Sequence, residues 1–133
     1  MVYLLNSLGD VIYILTKVTR QSTDVSYNLN ALASPYSSIR VGVGDRLPVA
    51  APLTFEALVV ADTPATRAHN LSVLLEAANT ASKLQYLGYQ RELLGLQQVT
   101  QSPVGTHSMS VSLTWEPATA YWTKDGSYYA VLP

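Results

Sequence analysis

The 133-residue chain predicts an α+β fold, a mostly antiparallel β sandwich or barrel with one principal α-helix. Three observations lead there. Over 106–115, Met109, Val111, Leu113 and Trp115 alternate strictly with Ser108, Ser110, Ser112 and Thr114. That is the period of a strand with one buried face and one hydroxyl-covered face. The stretch LTFEALVVADTPATRAHNLSVLLEAAN, 53–79, alternates first and then changes period, so that Leu71, Leu74, Leu75 and Ala78 share a helical face. The helical spacing occurs once, while the strand period recurs on both sides of it.

Taken in order, residues 2–8 and 11–19 read as two strands around a Gly9-Asp10 turn, the second largely apolar on both faces. The run 20–37, rich in Ser, Asn, Thr and Ala with Pro35 near its end, reads as a long loop with at most one short strand. A loop of that length in a small domain is commonly an interaction element. Ile39, Val41 and Val43 alternate with Arg40, Gly42 and Gly44 as a strand entering a Gly44-Asp45 turn. No Lys-Ser/Thr follows those glycines, so a strand end explains them better than a phosphate loop. Pro48 and Pro52 bracket an extended connection.

A strand over 53–61 turns Leu53, Phe55, Ala57, Val59 and Ala61 to one face. Thr63 before Pro64 is a helix start, because the hydroxyl accepts a backbone N–H and proline suits the first helical position. The helix is expected to reach about residue 80, with Arg67, Asn70 and Glu76 facing solvent. Short strands follow at 83–87 and 92–101, separated by a break at Gly88 and closed by a turn at 102–105. From Pro117 the tail carries Tyr121, Trp122, Tyr128 and Tyr129 around Lys124-Asp125-Gly126, giving a C-terminal arm or hairpin over about 116–133. The length fits a single domain spanning 1–133.

Composition narrows the function classes. The hydrophobic share of 48% is ordinary, whereas the charged share of 13% is about half the usual one. The surface is therefore expected to consist mainly of Ser, Thr, Asn, Gln and Tyr, which suits an interface, because net charge is what keeps molecules apart. The eight basic residues, Lys17, Arg20, Arg40, Arg46, Arg67, Lys83, Arg91 and Lys124, form no cluster, and the net charge is −1. Neither property suits a phosphate-tracking groove. With no cysteine, disulfides, thiolate zinc sites and cysteine nucleophiles are excluded. The apolar N-terminus lacks a basic leader region and is broken by Gly9-Asp10, so it is expected to be a strand pair and not a signal segment. No run approaches the ~18 apolar residues of a membrane span. Asn70-Leu71-Ser72 has the form of a glycosylation sequon, but it falls inside the expected helix.

No catalytic, cofactor-binding or metal site is expected. His69 and His107 are the only histidines, and no HxH, HxxxH or HExxH spacing brings them to Asp62 or Glu92. A Gly-x-Ser-x-Gly elbow is missing. Glu56, Glu76, Glu92 and Glu116 fall on separate elements, where solvent-facing roles outnumber acid/base pairs. The C-terminal aromatics suit packing or subunit contacts better than a carbohydrate or base-stacking platform.

The carrying stretch LTFEALVVADTPATRAHNLSVLLEAANTASKLQYLGYQRELLGLQQVT, followed by HSMSVSLTW, resembles the tail-tube fold of bacteriophage tails. It looks most like the N-terminal domain of siphophage distal tail proteins. The resemblance covers about half of the chain and lies in pattern, with 53–61, 64–80, Arg91-Glu92 and 109–115 in the places of the family's strand, helix, polar pair and final strand. Many distal tail proteins carry a second, galectin-like domain, for which this length is expected to leave no room. The resemblance implies a non-enzymatic virion protein of the tail, assembled in the host cytoplasm. Its subunits would close into a ring, commonly a hexamer, around the DNA channel. Its partners would be copies of itself and neighbouring tail proteins of tube, hub or tape-measure type, with DNA only as passing cargo. The alternatives are a tail-tube or tail-terminator protein of the same fold, a small monomeric ligand-binding β domain, and an enzyme with an unmarked site.

Overall fold

The computed structural model describes residues 1–23, 25–27, 30–33, 40–43 and 48–132. Strands β1 (Val2–Leu5) and β2 (Val11–Leu15) pair antiparallel. Asn6 organises the turn between them, its Oδ1 accepting from the N–H groups of Leu8 and Asp10 at 3.0 and 2.9 Å. Gly9 there adopts φ 89°, which a side chain would strain. The first strand is thus shorter than the run 2–8 predicts, because Asn6 diverts the backbone into a turn.

The apolar run expected as one strand over 11–19 is two strands. β2 ends at Leu15, and β3 (Val18–Ser22) belongs to the opposite end of the hydrogen-bonded strand path. Thr16 and Lys17 carry the chain across, and the Lys17 carbonyl accepts from the Leu58 N–H at 3.1 Å. Periodicity alone conceals such a switch, since both strands turn apolar residues to one core.

Within the segment expected as a long loop, the described residues are paired. β4 (Ser26–Tyr27) pairs with β7 (Pro48–Val49), and β5 (Asn30–Ala33) pairs with β6 (Arg40–Val43). Pro35, Ile39 and the Gly44-Asp45 turn lie outside the described residues.

β8 (Leu53–Val60) buries Leu53, Phe55, Ala57 and Val59, as its alternation predicts. The helix α1 (Pro64–Thr80) begins at its expected cap: Thr63 Oγ1 accepts from the Thr66 N–H at 3.2 Å. Leu74 and Ala78 are buried, and Leu71 and Leu75 pack beside them. β9 (Lys83–Tyr86) and β10 (Tyr89–Val104) form a hairpin through Leu87 and Gly88, both at positive φ (53° and 83°). β10 extends beyond the expected 92–101 at both ends and pairs from Leu93 to Val104 with β11 (Ser108–Pro117). A last hairpin joins β12 (Trp122–Lys124) to β13 (Ser127–Tyr129) through Asp125 and Gly126.

Hydrogen bonding runs in the order β2-β1-β9-β10-β11-β8-β3, with β12 and β13 joined at β10. Every pairing is antiparallel. The path turns a corner along β10, whose residues Tyr89–Glu92 pair with β9 while Leu93–Val104 pair with β11. Register shifts between Leu93/Gly95 and Leu96/Gln98 mark bulges at the corner, and bulges bend a strand. The two ends of the path, β2 and β3, are joined covalently through Thr16-Lys17. The result is a mostly antiparallel β structure, folded around on itself, with a single helix among the described residues.

One core fills it. Val2 and Leu4 of β1, Leu84 of β9, Phe55 of β8, Leu113 and Trp115 of β11, and Trp122 of β12 are all buried in it. Phe55 meets Tyr86 and Trp115 edge-to-face, at centroid distances of 5.2 and 6.2 Å. Trp115 also donates its indole N–H to the Ala78 carbonyl at 3.0 Å, tying β11 to the end of α1.

Candidate functional site

The residues with the most obvious chemistry are scattered. His69 is exposed on the second turn of α1, and His107 is exposed in the β10–β11 turn, where its carbonyl accepts from the Ala61 N–H at 3.0 Å. Asp62 stands just before the helix. Among the described residues, no group of three or more His, Asp or Glu side chains is placed to hold a metal ion. Glu56, Glu76, Glu92 and Glu116 sit on β8, α1, β10 and β11.

What the fold does assemble is surface. On the outer face of β8 and β11, register pairs Thr54 with Thr114, Glu56 with Ser112 and Leu58 with Ser110. β10 continues those rows with Gln98, Thr100 and Ser102. On the other side β3 sets Arg20 opposite Glu56 and Ser22 opposite Thr54. The hydroxyls bond one another and the carboxylate: Thr54 Oγ1 lies 3.0 Å from Thr114 Oγ1, and Ser110 Oγ donates to Glu56 Oε1 at 2.9 Å. Arg20, Thr54, Glu56 and Ser112 line a cleft of about 260 Å³ on this face.

A second surface is the far part of β10. Beyond Leu93 it pairs with β11 on one side, and among the described residues no strand pairs with its other edge. Leu94, Gln97, Thr100, Gln101 and Val104 are exposed along it. A third is the outer side of β2, where Val11, Ile12 and Ile14 are exposed beside the equally exposed Leu8. Next to it an open groove of about 490 Å³ runs between β2, the end of β8 and α1, lined by Tyr13, Leu58, Val60, His69 and Val73.

The C-terminal aromatics divide by role. Trp115 and Trp122 are core residues, in line with the packing use expected of them. Tyr121 is half-buried, and Tyr128 and Tyr129 are exposed. Arg91 enters the same core, only 3% exposed, with its guanidinium 5.4 Å from the Trp122 ring centroid and Nε donating to the Thr119 carbonyl at 2.9 Å. Burial pushes its pKa below the usual arginine value. In the sequence Arg91 is one of eight basic residues that form no cluster, and its charge does not mark it as buried. The signal that places it inside is its phase, since it stands two residues before the buried Leu93 and opposite the buried Leu84.

No family model, curated protein or solved structure matches this chain. A functional reading therefore stands on these surfaces. No helix among the described residues is long and apolar enough to cross a membrane. Among the described residues the accessible features are an unpaired strand edge, an apolar edge strand and a hydroxyl-rich sheet face.

Proposed function

We propose that this chain is a structural subunit of a bacteriophage tail that self-associates into a ring around the DNA channel. The observation that carries the reading is the edge of β10 beyond Leu93, left without a strand partner among the described residues. Exposed edges recruit further strands, and a ring is one arrangement in which each edge finds a neighbour. The apolar outer side of β2 supports it as the kind of patch that a heterologous contact buries. Low charge supports it too, because a permanent interface disfavours unpaired charges. The likeness in layout to distal tail proteins supplies the setting: the virion tail, with neighbouring tail proteins as partners and DNA as cargo only. The role is structural, not catalytic. Tube and terminator positions would use the same surfaces.

The test is the mass of the purified protein by light scattering, with negative-stain microscopy of the same sample. Closed rings of several subunits are the expected outcome. A strict monomer at high concentration, with no ring on addition of tail proteins from the same virion, would overturn the proposal.

A further inference from the structure

The outer face of the β9–β10–β12–β13 region holds a small cleft of about 180 Å³ that the ring does not require. Its walls follow from strand phase. Because Leu84, Arg91, Leu93 and Trp122 point inward, Lys83, Gln90, Glu92 and Thr123 fall on the opposite face. Register sets Lys83 opposite Glu92, Gln90 opposite Thr123, and Thr123 opposite Tyr128. Tyr121, from the segment before β12, completes the cleft. Its ring meets Tyr128 edge-to-face, with centroids 6.3 Å apart and planes at 78°, so the two form a floor and a wall.

The polar heads here are largely unspent. Lys83 and Glu92 are cross-strand neighbours, yet neither side chain makes an ion pair or hydrogen bond with another of the described residues. Among the described residues the Gln90 side chain has one long 3.4 Å contact, from its Nε2 to Gln85 Oε1, and the Thr123 hydroxyl one of 3.4 Å to the Gln90 carbonyl. Tyr128 is 74% exposed. An aromatic corner thus stands over an ammonium, a carboxylate, an amide and a hydroxyl, all with free capacity.

We propose that this cleft binds one ring of a neutral saccharide. A sugar ring offers an apolar C–H face to a tyrosine and hydroxyls, each both donor and acceptor, around its rim. Neighbouring hydroxyls satisfy the Glu92 carboxylate as donors and the Lys83 ammonium as acceptors. An anionic nucleotide meets only one lysine here, with Glu92 in the same row, and an apolar ligand would bury both charges unsatisfied. The volume lies below the ~300 Å³ at which drug-sized ligand pockets begin, so a single ring enters while the rest of a chain stays in solvent. Affinity is accordingly weak, on the order of millimolar. The site does not depend on ring assembly and would stand if the protein were a monomer.

Saturation-transfer difference NMR on the intact protein tests it, with methyl glycosides of glucose, galactose and N-acetylglucosamine as probes and with AMP and glycine as competing chemistries. At least one glycoside is expected to receive saturation on its ring C–H protons. Tyr128→Ala and Glu92→Gln, both at exposed positions, should each weaken binding about tenfold, with thermal unfolding unchanged. The proposal fails if no glycoside responds, if AMP or glycine binds in their place, or if both variants bind as the parent does.

Discussion

Trp115 caps the C-terminal end of α1 from a different element. A helix leaves its last carbonyls without partners. Here the Thr80 hydroxyl takes the Glu76 carbonyl at 2.9 Å, the Ala81 N–H takes Ala77 at 3.0 Å, and the Trp115 indole takes Ala78. Trp115→Phe removes the donor and part of the ring while the site stays buried. We expect a loss of about 3 kcal/mol in denaturant unfolding, the sum of a cavity and an unsatisfied carbonyl. A loss no larger than that of a surface substitution would mean that the bond contributes nothing. The burial of Trp115 was legible in its alternation with Ser and Thr. Its bond to Ala78 was not, because nothing in either segment encodes how the helix end meets the sheet. Arg91 shows the reverse difficulty: its phase marked it as inward, but its charge marked it as solvent-facing. A cation over the Trp122 ring with a carbonyl on Nε reconciles the two.

At the scale of elements, local chemistry was legible wherever one residue decides an end. Thr63-Pro64 is such a place. The helix has no acidic residue in its first turn and no basic one in its last, so charge does not help to hold either end. Thr63→Ala should therefore cost about 1 kcal/mol, with Thr63→Ser retaining most of it, read as a shift in the denaturation midpoint. Equal stabilities for the Ala and Ser variants would rule the cap out as a contributor. Strand ends were harder. The switch at Thr16-Lys17 falls inside a largely apolar run that reads as one strand, and the corner in β10 falls inside a pattern of mixed Leu and Gln. Both are set by tertiary pairing, which periodicity does not carry. The Ser and Asn content of 20–37 reads as a loop, yet its described parts include most of β3 and the strands β4 and β5, which pair with β8, β7 and β6.

For the whole molecule, the count and order of strands around one helix were enough to anticipate an antiparallel sandwich or barrel. They did not show which edge would be left over, since that depends on how far β10 outruns β9. That edge is where an assembly can be interrupted without disturbing the core. Leu94 is 74% exposed on β10, in the first bulge of the corner, so a lysine there meets water in the free subunit. Leu94→Lys should leave unfolding within about 0.5 kcal/mol of the parent, as surface changes usually do. In the proposed ring, each subunit's copy of the charge would be desolvated against a neighbour, at a cost of several kcal/mol. The expected outcome is a folded monomer by light scattering under conditions in which the proposed rings form for the parent. Val131→Lys, near the C-terminus and away from both contact surfaces, serves as the control for added charge and should still assemble. Rings of unchanged mass from Leu94→Lys would remove the β10 edge as the contact and leave the apolar side of β2 as the surface to test.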